Sequence, residues 1–161
     1  MFLTIVYNIY LQASIGGSFH PDFITQLVAQ QSSFLISSLG YEAQILPHHL
    51  NTSMKLFINQ QFLAEIVEGC NAISIIILFI AFVVAFRQKI KKTALFILAG
   101  IALIYGINLF RIAILAIALY KYPDHQEFLH QIVFPAIIYG MVFILWVLWV
   151  KMLPKTEIKN E

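Results

Sequence analysis

Residues 70–86, 93–119 and 130–150 are three long runs of almost uninterrupted apolar character, and they limit this chain more than any other feature. Each approaches or exceeds the roughly 20 residues that a helix needs to cross about 30 Å of hydrocarbon. Water is a poor solvent for such a sequence: 60% of it is hydrophobic and 11% charged, against about 45–50% apolar in soluble domains. The expectation is an all-α polytopic membrane protein, one domain over residues 1–161. Its transmembrane helix bundle carries a short N-terminal span, an outer-face amphipathic helix and a small outer-face β-hairpin. A net charge of +2, with the basic residues in two short segments, does not provide the footprint of a nucleic-acid binder. The single cysteine excludes an intrachain disulfide, a thiolate metal cluster and a CxxC redox pair.

Residues 2–15 read as a short or partial first span. The apolar run at 2–13 has no basic residues before it, and it suits the outer end of a helix whose beginning is missing, or else an interfacial anchor. Gly16, Gly17 and Pro21 break it. Over 22–39 Phe23, Leu27, Phe34 and Leu35 mix with Gln26, Gln30, Gln31, Ser32 and Ser33, the pattern of a helix lying at an interface, with Asp22 as N-cap and Gly40 as stop. Residues 41–69 form an outer segment: a loop around Pro47, His48, His49, Asn51 and Thr52, then strands at 55–58 and 61–67 about a weak Asn59-Gln60 turn. The basic residues set the orientation. Arg87, Lys89, Lys91 and Lys92 crowd the loop 87–92, and Lys151, Lys155 and Lys159 lie in the tail 151–161, so seven of the ten Lys and Arg share one side, the cytoplasmic one. The loop 120–129 and six of the eight acidic residues, Asp22, Glu42, Glu65, Glu68, Asp124 and Glu127, face outward.

Three polar groups then fall at one depth. At about 1.5 Å per residue, Cys70 stands roughly 25 Å above the inner boundary, Arg111 roughly 27 Å and His130 roughly 31 Å. A charge inside an apolar span costs a few kcal/mol and calls for a partner or a polar cavity. Arg111 has Asn108 three residues earlier on the same face; the plainer alternative is that it snorkels to the headgroups. Cys70 is either an inert packing residue or, beside Glu65, Glu68, Gly69 and Asn71 at the entry to a helix, a chemical one. His130 is either a polar anchor or a proton carrier oriented by Asp124 and Glu127. His48 and His49 are adjacent histidines without carboxylates at ligand spacing, and no metal or cofactor is expected. Trp146, Trp149, Tyr120, Tyr122 and Tyr139 read as packing and interfacial residues.

Glu68-Gly69-Cys70-Asn71-Ala72 opening one span, Asn108-Leu109-Phe110-Arg111 in the next and His130 opening the last resemble the signature of the exosortase/archaeosortase family. The run from Ile66 to Ala72 is most similar to the short F-type bacterial subgroup. The resemblance implies a cysteine protease and transpeptidase of the bacterial cytoplasmic (inner) membrane, its active site on the periplasmic side. Its protein partner would be an exported protein ending in a short motif, a hydrophobic helix and a basic tail, and the acceptor is open. It also implies that Cys70 is the nucleophile, Arg111 the oxyanion or substrate-positioning cation and His130 the proton shuttle, with Glu68, Asn71 and Asn108 in support. The competing reading is a non-enzymatic scaffold or assembly subunit in which Arg111 pairs with Glu65 or Glu68 and Cys70 only packs. A small transporter ranks last, because residues 72–86 carry no polar side chain except Ser74.

Overall fold

The periodicity of residues 23–38 makes a helix whose inward stripe is built from small side chains. The computed structural model describes residues 23–48, 51, 53–67, 70–86, 88–123 and 126–152, except for the side chains of Gln126, Leu129, His130 and Phe134. The expected N-terminal span at 2–15, Asp22, His49, Thr52, Glu68, Arg87, Asp124 and the tail from residue 153 lie outside the described residues.

Helix α1 (Phe23–Ser38) buries Thr25, Val28, Ala29, Ser32 and Ile36, spaced three or four residues apart and therefore along one face. It leaves the larger Phe23 and Phe34 exposed, Phe34 by 77%. Small inward residues let α1 lie close on the long helix α3 (Ile90–Lys121), whose Tyr105 donates its hydroxyl to Gln31 Oε1 of α1 at 2.8 Å. Gly40, at φ +91°, ends α1: its N–H reaches Ser37 O at 3.0 Å and the Tyr41 N–H reaches Ile36 O at 3.4 Å, a Schellman stop that uses glycine's left-handed freedom.

The outer segment is a three-stranded antiparallel sheet in the order β1 (Ala43–Pro47), β2 (Ser53–Ile58), β3 (Gln61–Val67), where a two-stranded hairpin was expected. Strand β1 escapes the sequence reading because it ends in Pro47, a strand breaker in general. Pro47 is tolerated because β1 is an edge strand. The β2–β3 connection is Asn59-Gln60 with φ 49° and 66°, the two positive angles of a type I′ turn. A register irregularity opposite Leu56/Phe57 puts an extra residue in β3.

Three helices follow: α2 (Ile73–Ala85), α3 (Ile90–Lys121) and α4 (Phe134–Lys151). A helical turn at Gln126–Phe128 and a π-helical turn at Leu129–Val133 lead into α4. Among the described residues two helical stretches are long and apolar enough to cross a membrane: Ile90–Lys121, with 32 residues, and Gln131–Lys151, with 21. The expected helix from Cys70 begins instead at Ile73 and has 13 residues, about 20 Å long, because Ala72 breaks the backbone path. The most apolar stretches of the two long helices are only 28% and 24% buried; their large side chains, such as Leu95, Leu98 and Phe143, point outward. Apolar surface turned away from the core suits a lipid surrounding.

The interior divides in two. In the first core Val28, Ala29 and Ile36 of α1 and Met54, Leu56, Ile58 and Ile66 of the sheet pack on Ile112, Ala113 and Ala116 of α3. In the second Ile76, Phe79 and Val83 of α2 meet Ile104 of α3 and Val142, Leu145 and Trp149 of α4. Trp149 is fully buried, donates its indole N–H to Phe86 O at 3.1 Å and stacks on Phe96, so it is a packing residue and not part of an interfacial belt. Phe79 lies directly on Gly100: a Cβ there would stand 2.2 Å from the ring. Alanine ordinarily gains up to about 1 kcal/mol over glycine within a helix. Gly100→Ala is expected to reverse that sign and destabilise by about 1–3 kcal/mol, with recovery in Gly100→Ala/Phe79→Leu; thermal unfolding in detergent checks both.

Candidate active site

The turn that carries Cys70 is assembled from hydrogen bonds its own neighbours supply. Asn71 is buried and accepts the Ile73 N–H on Oδ1 at 3.0 Å, capping α2 by an Asx turn. Its amide donates to Thr25 Oγ1 at 3.3 Å, which ties the turn to α1. Ala72 takes φ 61°, ψ 5°, a left-handed conformation that costs roughly 1–2 kcal/mol for an L residue. That twist turns the chain from the end of β3 into α2 and leaves Cys70 half-buried, ahead of the helix.

From the other side α3 holds the same turn. Asn108 is 1% exposed and donates its amide N–H to the Cys70 carbonyl at 2.8 Å. One turn further along α3, half-buried Arg111 shares a cavity of about 300 Å³ with Cys70. The walls are Phe62 to Ile66 of β3 on one side and Arg111, Ile112, Leu115, Ala116 and Leu119 of α3 on the other, with Leu56 beneath. Cys70 and Arg111 therefore line the same mostly apolar cavity, although 41 positions separate them in sequence. Two buried polar atoms here have no partner among the described residues, Arg111 Nε and Asn108 Oδ1. Buried polar groups are nearly always satisfied in stable interiors, so an unpaired guanidinium N–H on a residue that lines an apolar cavity marks a polar demand the described residues leave unmet.

Glu65 also lines the cavity; the sequence offered it as a neighbour of Cys70 and, in the scaffold reading, as a partner for Arg111. Its carboxylate accepts from Ser53 Oγ at 2.9 Å and lies 3.5 Å from His48 Nε2. Among the described residues no ion pair joins it to Arg111, one of the two pairings of the scaffold reading; the other, with Glu68, lies outside them. The Ser53↔Val67 and Lys55↔Glu65 register is the only signal for this grouping, and it exists only once the strands are paired. His130 belongs to the π-helical turn Leu129–Val133, a local insertion of the kind found at functional sites. Glu68 lies outside the described residues. Among those residues no group of three or more His, Cys, Asp or Glu side chains is placed to hold a metal.

Set against known proteins, residues 3–152 match the family described as transmembrane exosortase. No curated protein and no solved structure matches the chain.

The Asn108 bond generates a direct expectation. Asn108→Ala leaves a carbonyl unpaired where two cores meet, at a cost of about 1–3 kcal/mol. Lower thermal stability should accompany faster maleimide labelling of Cys70, the chain's single cysteine; an unchanged labelling rate would mean that the bond does not hold the turn.

Proposed function

The chain belongs to the transmembrane exosortase family, and from that premise we propose that it is a membrane cysteine transpeptidase that cleaves the C-terminal sorting signals of exported proteins. The observation that carries this reading is the shared cavity of Cys70 and Arg111, with the Cys70 carbonyl held by Asn108.

In this reading the Cys70 thiol gives its proton to His130 and Sγ attacks the scissile carbonyl carbon, forming a carbon–sulfur bond. The carbonyl oxygen takes up the negative charge, and Arg111, which lines the cavity, stabilises it through its guanidinium. Collapse breaks the carbon–nitrogen bond, and His130 returns the proton to the departing amine. The thioester on Cys70 is then attacked by an acceptor nucleophile, which regenerates the thiol. Asn71 and Asn108 hold the Cys70 turn through Thr25, Ile73 N and the Cys70 carbonyl. Glu68 sits two residues before the thiol as an accessory charge. The run from Ile66 to Ala72 supports placement in the short F-type subgroup.

The same reading fixes the membrane geometry. Residues 87–92 and the tail 151–161 lie in the cytoplasm by their charge, and the membrane is the bacterial inner one. Helix α3, with 32 residues, is about 48 Å long against about 30 Å of hydrocarbon, so its C-terminal end rises beyond the outer boundary. The sheet and α1 pack on that projecting end, with Phe23 and Phe34 turned toward the headgroups. The site then stands at the outer interface, where an exported protein anchored by a hydrophobic helix and a basic tail presents the segment just above its helix. In this reading α2, α3 and α4 form a polytopic bundle.

Cys70→Ala and Cys70→Ser are both expected to abolish processing of a co-expressed exported protein bearing such a C-terminus. Arg111→Lys, which keeps the charge but loses the guanidinium fork, should lower the rate by roughly 10²–10³. Intact-mass analysis of Arg111 or His130 variants should show a substrate fragment on Cys70. Processing at the normal rate by Cys70→Ala leaves the scaffold reading in its place.

A further inference from the structure

The cavity beside Cys70 follows a strand edge. Successive side chains of a strand point to opposite faces, so a cavity against one face of β3 would meet every second residue. This one is lined by Phe62 to Ile66, and past the irregularity at Leu63 it still meets Ala64, Glu65 and Ile66 in succession, as a cavity running along the edge of the strand does. Strand β3 is the last in the order β1-β2-β3, so among the described residues one side of its backbone has no neighbouring strand.

The hydrogen-bond alternation shows which groups face that side. His48 N–H donates to Ser53 O at 3.0 Å and Asn59 N–H to Glu42 O at 2.8 Å, so the odd-numbered residues of β2 bond toward β1. In an antiparallel ladder the bonding side alternates, and Met54, Leu56 and Ile58 bond toward β3, where they meet Ile66, Ala64 and Gln61. Glu65 and Val67 are opposite Lys55 and Ser53, and their backbone N–H and C=O groups point to the free edge. Facing them across the cavity is the α3 stripe from Arg111 to Leu119, about 12 Å long, room for about three or four extended residues.

Both ends of this slot are pinned. Asn59 in the β2–β3 turn donates to Tyr120 Oη at 3.0 Å, and Asn108 donates to the Cys70 carbonyl at 2.8 Å, so β3 runs antiparallel to α3 and down toward the thiol. The occupant must bring alternating acceptors and donors for a strand edge, an acceptor for the Arg111 guanidinium and apolar side chains for Leu115, Leu119 and Phe62. An extended peptide brings all of these; a lipid acyl chain brings no hydrogen-bonding group.

We infer that the substrate segment preceding the scissile bond binds as a fourth strand on the free edge of β3, between β3 and α3. This rests on the transpeptidase reading and specifies how that site holds its peptide. The substrate's hydrophobic helix follows the scissile bond and descends into the membrane, so the bound segment runs N to C toward Cys70, parallel to β3. Backbone pairing supplies sequence-independent affinity, while the pockets along α3 read alternate side chains.

The test uses the full chain in detergent and, as probes, the proteins of the same genome that end in a hydrophobic helix and a basic tail, each carrying one cysteine moved residue by residue through the segment above its helix. Because Cys70 is the only cysteine, Cys70→Ser provides a background for disulfide cross-linking to Phe62→Cys, Leu115→Cys and, as a control remote from the slot, Phe34→Cys. Acylation of the unaltered chain is followed separately by intact mass. The expected result is cross-linking at every second probe position, Leu115→Cys reaching positions nearer the cleavage site than Phe62→Cys, and none to Phe34→Cys. Acylation of Cys70 without cross-links in the slot, or with a three-to-four-residue period, overturns the strand pairing and leaves the transpeptidase reading standing. Alternating cross-links without acylation support the strand site and count against the chemistry, and the absence of both overturns the two together.

Discussion

One hydrogen bond, from the Asn108 amide to the Cys70 carbonyl at 2.8 Å, lies where the two halves of this protein meet. Above it the sheet and α1 pack on the last turns of α3; below it α2 and α4 pack on the same helix. The turn bearing Cys70 is the covalent passage between those halves, from β3 to α2, and it is irregular, with Ala72 in a left-handed conformation. An irregular segment at that depth has backbone groups that no ladder satisfies, and a buried unpaired carbonyl is expensive. Asn108 meets that need and at the same time locates the thiol relative to α3, and so relative to Arg111.

The continuous α3 provides the frame for this arrangement. Because its inward face supplies Ile104 to one core and Ile112, Ala113 and Ala116 to the other, displacement of either half strains the other through the same rigid rod. Small residues permit the close approaches: Gly100 under Phe79, and Ala29 and Ser32 of α1, all buried. In lipid, where helices gain little from the hydrophobic effect between themselves, such contacts and a few buried hydrogen bonds carry association. The Tyr105–Gln31, Asn71–Thr25 and Trp149–Phe86 bonds join elements distant in sequence in that way.

Long apolar runs announce spanning helices because lipid admits few alternatives, and α3 and the helix ending at Lys151 were legible from composition alone. The boundaries of α2 were not. Cys70 begins an apolar run, yet the helix starts at Ile73, since Asn71 prefers to cap and Ala72 turns the chain; hydropathy does not register a backbone angle. Strand β1 was hidden because Pro47 signals a break wherever its place in a sheet is unknown. The inward stripe of α1 was misleading for a similar reason: its largest apolar residues, Phe23 and Phe34, face outward, while Thr25 and Ser32 are buried, an inversion that depends on how closely α3 approaches.

The amino-acid sequence by itself determined the solvent, the count of long apolar runs and the identity of the isolated polar residues within them, because transfer of each side chain between water and hydrocarbon is a local property. It also carried the family resemblance. Only the tertiary structure decided that Cys70 and Arg111 share a cavity, that Asn108 is spent on the Cys70 carbonyl, that Glu65 is engaged by Ser53 and His48, and that β3 has a free edge along that cavity. Those facts depend on strand register and on which faces of separate helices meet, and such meetings are settled by the packing of the whole chain.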